Sequence, residues 1–257
     1  MRSKGKVVVL ATDSITTRMV LNELNNEFEF LYVAFEKPIS RKRLLKKRLA
    51  KLGFLTVLGQ LIFMAYTSII KFISKARINS LIGESGFSYQ PINKFDIQIF
   101  DSVNSEACIE WVKQIKPDVV VLNGTRIVSS DLLNSCDATF INTHCGITPA
   151  YRGVHGGYWA LVNNDAKNAG VTIHVVDTGI DTGDIVFQKN IKVSKSDNFL
   201  IYPVKQYIEG IPLLKKAIRL CLADQLRTFK RDDLISNLWY HPTIWEYFYN
   251  FIRFRVK

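Results

Sequence analysis

The stretch KVVVLATDSITTRMVLNELNNEFEFLYVAF, Lys6–Phe35, decides the fold class. Lys6–Ala11 is short, continuously apolar and rich in valine, the pattern of a strand buried on both faces of a parallel sheet. Ser14–Asn25 has helix-forming composition, with Asp13 or Ser14 placed to cap its first turn. Phe28–Phe35 reads as a second strand. Strand, helix and strand in so short a span form a β-α-β unit. It predicts an α/β fold with a Rossmann-like, mostly parallel sheet flanked by helices.

Beyond Phe35 the rhythm breaks and then returns. Residues 40–84 read as a helical insertion, basic at both ends and apolar in the middle, where Leu52–Ile70 runs for 19 residues without a charge. Ile97–Phe100, Pro117–Leu122 and Thr139–Asn142 read as further strands, and Ser105–Ile115 and Ser129–Leu133 as helices, with a turn at Asn123–Gly124. Gly170–Val176 and Ile185–Gln188 form a candidate strand pair across a glycine-rich loop. The remainder reads as helices ending in an aromatic-rich stretch, Trp239–Phe254. The expected organisation is a main domain over 1–190, carrying the insertion 40–84, and a helical C-terminal extension over 191–257.

Composition is that of a folded globular chain, 47% hydrophobic and 22% charged, which excludes disordered, collagenous and disulfide-scaffold classes. The net charge of +11 is local. Arg41–Arg77 holds ten basic residues and no acid, seven of them in Arg41–Lys51. Removing them leaves 24 basic against 23 acidic residues, a net of +1, so the rest of the chain is not a basic groove and no nucleic-acid partner is expected. Cys108, Cys136, Cys145 and Cys221 have no close pairing, which fits a reducing compartment and gives no metal signature. Met1–Lys6 followed by the short run Val7–Ala11 is not a secretory pattern, and the expected location is cytoplasmic.

Three polar residues carry candidate chemistry. Asn142 and His144 close the Thr139–Asn142 strand in INTHCGITPAYRG, and Asp181 lies in DTGIDTGD after the Gly170–Val176 strand. Ligands of open α/β sheets bind beyond the carboxyl ends of strands. An amide there can donate to a developing oxyanion, an imidazole can move a proton near neutral pH, and a carboxylate can hold that imidazole. On spacing alone, the same residues serve equally well as loop caps.

Order adds information. Asn142-x-His144, Pro149, Tyr151-Arg152-Gly153, Gly170-Val171-Thr172-x-His174 and Asp181-x-Gly183 together resemble the folate-dependent formyltransferase family, which includes the glycinamide ribonucleotide, methionyl-tRNA and sugar N-formyltransferases. The resemblance covers Val119–Gln188 and leaves out Ser40–Glu84 and the C-terminal tail. It implies a catalytic set of Asn142, His144 and Asp181, with 10-formyltetrahydrofolate as co-substrate, a primary amine as acceptor and no metal. It also implies a donor pocket with two walls: backbone groups of Arg126, Ile127 and Val128 in GTRIV, and Asp177, Thr178, Gly179 and Ile180 ahead of Asp181. His174 supports the set. His155, Tyr158 and Trp159 are candidates for the acceptor side, and Thr12-Asp13-Ser14 for an acceptor phosphate; core packing and helix capping are the competing readings.

Members of the family that act on tRNA carry an added C-terminal barrel, and the compact glycinamide ribonucleotide enzymes lack an insertion like 40–84. The layout around YRGVHGGYW looks most like enzymes of amino-sugar and surface-polysaccharide pathways, so a nucleotide-linked amino sugar is the expected small-molecule acceptor. Another small amine, methionyl-tRNA, and a catalytically idle membrane-surface scaffold of the same fold are the alternatives. Leu52–Ile70 meets the length rule for a membrane span, but a span would split the sheet, and both flanks are basic. The expected role of 41–77 is an insertion packed on the domain, peripheral contact with the inner membrane surface, or a homodimer contact.

Overall fold

The computed structural model describes residues 3–91 and 96–257; Met1 and Arg2 of the Met1–Lys6 stretch, and the side chains at 41, 43, 44 and 47 in the basic run, lie outside that description. In chain order the elements begin β1 Ser3–Ala11, α1 Ile15–Glu27, β2 Phe28–Glu36, α2 Arg41–Leu52 and α3 Phe54–Glu84. They continue with β3 Gln98–Phe100, α4 Glu106–Ile115, β4 Val119–Asn123, α5 Ser130–Leu133 and β5 Thr139–His144. After these come β6 Arg152–Gly153, α6 Gly156–Val162, β7 Gly170–Val175, β8 Ile185–Asn190, α7 Ile201–Leu222, β9 Leu238–Trp239 and α8 Ile244–Phe254.

Seven strands form one sheet in the order β3-β2-β1-β4-β5-β7-β8. Pairing is parallel from β3 through β5 and antiparallel at β5–β7 and β7–β8. The expected α/β sheet is therefore present. Successive side chains point to opposite faces. Val7, Val9, Val121 and Ile141 face α1 and α7, where Ile211, Leu214 and Ile218 are fully buried. Val8, Leu10, Val120 and Phe140 face α4 and α5, against Cys108, Val112 and Leu132. Ser14 caps α1 by accepting from the Thr17 N–H at 3.1 Å. Thr12 and Asp13 are also used locally: Thr12 Oγ1 donates to the Gly124 carbonyl and Asp13 pairs with Arg18, so the capping reading accounts for this stretch.

The insertion is two helices broken at Gly53, whose φ of +77° suits glycine. α3 is long and apolar enough to cross a membrane, yet one stripe along its whole length is buried on the domain. Phe63 and Ile70 enter an aromatic cluster with Tyr158, Phe199 and Tyr247, while Ile78, Leu81 and Ile82 join the main core.

The C-terminal stretch differs from its expected all-helical form. α7 packs on the sheet and α8 on α3, but between them the chain is irregular, with turns and two short extended pairings. β9 pairs in parallel with β6, and Phe229 bridges to Ile185. Residues 223–243 lack a 3.6-residue apolar period, and their backbone groups find partners partly in local turns and partly in β6 and β8 and the chain before β6.

Candidate functional site

Asn142 and His144 are two apart on β5, so both side chains point to the same face. His174 on β7 is the register partner of Asn142 and joins them there. At this level the face borders a cavity of about 620 Å³. Asp181 arrives by a different route from the one expected. β7 is antiparallel to β5, and Val176 N–H donates to the Phe140 carbonyl. The following loop therefore leaves near the start of β5, not from the carboxyl ends of the parallel strands, and folds back over the face. Asp177 closes that loop, its Oδ1 accepting from Gly179 N–H at 3.0 Å and Thr182 Oγ1 at 2.7 Å. A Cβ on Gly183 would collide with the Val175 carbonyl, so the turn needs glycine there.

The four polar groups form one network. Asp181 Oδ2 lies 3.3 Å from His144 Nδ1 and accepts the Gly153 N–H at 2.9 Å. Its Oδ1 lies 3.4 Å from Asn142 Nδ2 and 3.6 Å from His174 Nε2. A carbonyl can only accept, which assigns the protons. His144 Nε2–H donates to the Tyr151 carbonyl at 2.7 Å, so its Nδ1 offers a lone pair on the side of Asp181. His174 Nδ1–H donates to the Val175 carbonyl at 2.8 Å, so its Nε2 accepts from Asn142 Nδ2 at 3.1 Å. That bond turns the Asn142 amide nitrogen toward His174 and leaves its second N–H on the long contact to Asp181.

Burial pulls the His144 pKa below its ordinary value, against the opposing pull of the Asp181 charge and the Tyr151 carbonyl. Burial pushes Asp181 up, but the His144 and His174 interactions and the Gly153 N–H outweigh it and hold the carboxyl at about 2. Near neutral pH the site is a neutral imidazole beside a carboxylate, ready to take one proton between them.

The residues expected to wall a donor pocket are placed differently from one another. Arg126, Ile127, Val128, Gly179 and Ile180 border the cavity; Asp177 and Thr178 do not, because Asp177 is spent on closing its own loop. The Arg126 N–H is also committed within the protein, donating to Glu36 Oε2 at 3.0 Å, so it does not face a ring. The Arg126 guanidinium donates to the carbonyls of Asp101 and Lys37 and lies 3.4 Å from Glu36. Glu36 also accepts the Val103 N–H and is almost fully buried. Sequence reasoning missed this residue. Its only signal is a carboxylate ending the apolar strand FEFLYVAFE.

Sequence reasoning also missed the opposite wall. Leu238–His241 line it, together with Arg48 and Leu52 of α2 and Gln60 of α3. His155 borders the cavity and bonds to His241 at 2.8 Å between Nε2 and Nδ1. Burial lowers their pKa values to about 3 and about 4, helped in His155 by His241 and in His241 by Arg48. Tyr158 and Trp159 stand in the aromatic core, Trp159 stacked on Trp239 with centroids 5.0 Å apart. Among the described residues no group of three or more His, Cys, Asp or Glu could hold a metal.

A family model described as formyl transferase matches residues 86–200, which carry Asn142, His144, His174 and Asp181. Over residues 86–200 the chain is similar to formyl transferases. The methionyl-tRNA formyltransferase of Syntrophus aciditrophicus is 31% identical over 136 residues, 52% of this chain and 43% of that protein. Matched stretches make up between 38% and 50% of the length of such curated relatives. Among solved structures, glycinamide ribonucleotide transformylase 1 from Symbiobacterium toebii shares the fold at TM-score 0.58 and 19% identity, covering 92% of this chain and 95% of that one. A sugar 3N-formyl transferase solved in the presence of dTDP and 5-N-formyl-THF does so at TM-score 0.55 and 17% identity, covering 92% and 70%. The formyltransferase match begins beyond the insertion, so α2 and α3 lie outside it.

Proposed function

We propose that this protein moves the formyl group of 10-formyltetrahydrofolate to a primary amine, that of a nucleotide-linked amino sugar. The observation that carries the reading is the joined set of Asn142, His144, His174 and Asp181 facing one cavity. Two buried polar atoms bordering it, Thr143 Oγ1 and Gln60 Oε1, have no partner among the described residues. A ligand rich in donors and acceptors, as a pterin and a sugar both are, satisfies such atoms.

The neutral amine attacks the formyl carbon, a C–N bond to the acceptor forms, and the C–N bond to the folate nitrogen breaks. Asn142 turns its second N–H from Asp181 to the formyl oxygen as negative charge grows there, the role of an oxyanion donor. His144 takes the amine proton at Nδ1, and Asp181 stabilises the resulting imidazolium. The proton then passes to the departing nitrogen. Holding both substrates in one cavity supplies a further part of the rate by removing the cost of bringing them together.

The acceptor reading draws on the insertion-built wall and on a fold neighbour solved with dTDP. Cytoplasmic location fits four free cysteines. A second reading, methionyl-tRNA as acceptor, draws on the 31% identity to enzymes of that name. One assay separates them: purified protein, 10-formyltetrahydrofolate, and a panel of nucleotide-linked amino sugars and methionyl-tRNA, followed by mass spectrometry. One added formyl group on a single sugar is the expected result. Formylation of methionyl-tRNA alone selects the second reading, and no transfer to any amine defeats both. Asn142→Ala and His144→Ala are each expected to lower kcat by about 10²–10³.

A further inference from the structure

The outer side of α2, α3 and α8 is unlike the rest of the surface. On α3, Phe54, Leu55, Ile62, Ile69, Phe72 and Ile73 are exposed, Phe72 by 83%. At 100° per residue they fall within an arc of roughly 100°, on the side away from the buried stripe through Phe63, Ile70 and Ile78. α8 repeats the pattern. Trp245, Phe248, Tyr249 and Ile252, spaced i, i+3, i+4 and i+7, are exposed, while Tyr247 and Asn250 are buried beneath them. The two helices adjoin: Trp245 lies over Gly59, and Phe248 packs on Tyr66 with centroids 5.3 Å apart.

Basic residues surround this apolar face. Lys42, Lys46 and Lys51 on α2 and Lys71, Lys75 and Arg77 on α3 are exposed, Arg77 being paired with Glu84 at the end of α3. Arg253, Arg255 and Lys257 are exposed at the end of α8. No acid occurs anywhere in 41–77, and the carboxylate of Glu246 on α8 is used in its own capping box. An apolar face can be covered by a second copy of the chain or by lipid. A second copy would bring two sets of like charges together, at a cost in every pairing. An anionic bilayer meets both features at once, taking the apolar side chains into its interface and the lysines against its headgroups. Tryptophan and tyrosine at the edge of the face suit that boundary.

We propose that α2, α3 and α8 form a docking surface for an anionic lipid bilayer. The same elements build one wall of the cavity, through Arg48, Leu52, Gln60 and the Tyr240–His241 segment that leads into α8.

Flotation of the full chain with vesicles of phosphatidylglycerol and phosphatidylcholine, against pure phosphatidylcholine, tests this without using activity, so a failed formyl-transfer reading leaves it standing. Expected are binding to the anionic vesicles only, a loss of at least tenfold on raising salt from about 0.05 to about 0.5 M, and a similar loss in Lys42→Glu/Lys46→Glu and in Phe72→Glu/Ile73→Glu. All four positions are exposed, and circular dichroism checks that the variants fold. Equal binding to neutral vesicles, no binding to either kind, or a stable dimer that ignores vesicles and dissolves in Phe72→Glu/Ile73→Glu overturns the proposal.

Discussion

The inner face of β5 and β7 and the outer face of α3 and α8 carry opposite kinds of order. On the inner face every polar group is placed by another: His144 by the Tyr151 carbonyl, His174 by the Val175 carbonyl, Asn142 by His174, Asp181 by the Gly153 N–H. On the outer face large apolar side chains stand in the open with charges around them. The first arrangement depends on angles and on distances of about 3 Å, so small shifts harm it. The second depends only on how much apolar area and positive charge share one side, so many single changes leave it intact.

The sharpest break in that contrast is Asp181→Asn. It removes the charge that stabilises a protonated His144, and kcat/KM for any accepted amine is expected to fall about 10³-fold, with vesicle binding unchanged. Gly146→Ala reaches the same imidazole from behind. Its Cβ would stand 2.6 Å from His144 Nε2 and against the Tyr151 carbonyl, prising apart the bond that fixes the ring. Steady-state kinetics should show kcat down by about 10², with substrate KM values nearly constant.

Acid probes the wall between the two faces. His155 and His241 have pKa values of about 3 and about 4 in the folded chain, below an ordinary histidine, and His144 is shifted the same way. The unfolded chain therefore binds more protons once pH drops below about 6.5. Stability is complete above that value and is lost as pH falls toward 4, by up to about 2 kcal/mol for each of His155 and His241 at pH 5. Urea unfolding at pH 7 and pH 5 measures the loss, and His155→Asn, which tolerates the φ of +59° there, should remove one share of it.

Smaller effects complete the set. Glu36→Gln weakens the hold on Arg126 and should raise the KM for 10-formyltetrahydrofolate by about fivefold with kcat little changed, since Glu36 stands behind the cavity wall. Phe72→Glu should leave kcat/KM for a soluble amine within about twofold, because the side chain faces away from the cavity.

Much of this was legible along the chain. Valine-rich runs marked β1 and β4, a cap at Asp13 or Ser14 marked α1, and the uncharged run Leu52–Ile70 with basic flanks marked the insertion. Each signal is local, because a strand, a cap or an apolar run is read over a few neighbouring residues. Asn142 and His144 were legible as a pair because alternation on one strand places them together. Glu36 was not, since its partner Arg126 lies 90 residues away and neither position is unusual alone. Asp177 and Thr178 do not border the cavity, because being near Asp181 in sequence does not decide which loop residues turn toward a cavity and which close the loop.

The α/β class, the confinement of positive charge to one insertion, and the residue types available for proton transfer and oxyanion binding are written along the chain. Those follow from composition, short-range periodicity and order along the chain. Folding of the whole chain sets the rest: β7 runs antiparallel and sends Asp181 back over the sheet, Leu238–His241 and the insertion build one wall of the cavity, and α3 buries one side while exposing the other. These are outcomes of pairing between segments far apart in the chain, and they depend on which backbone groups and apolar faces find partners once the whole chain is folded.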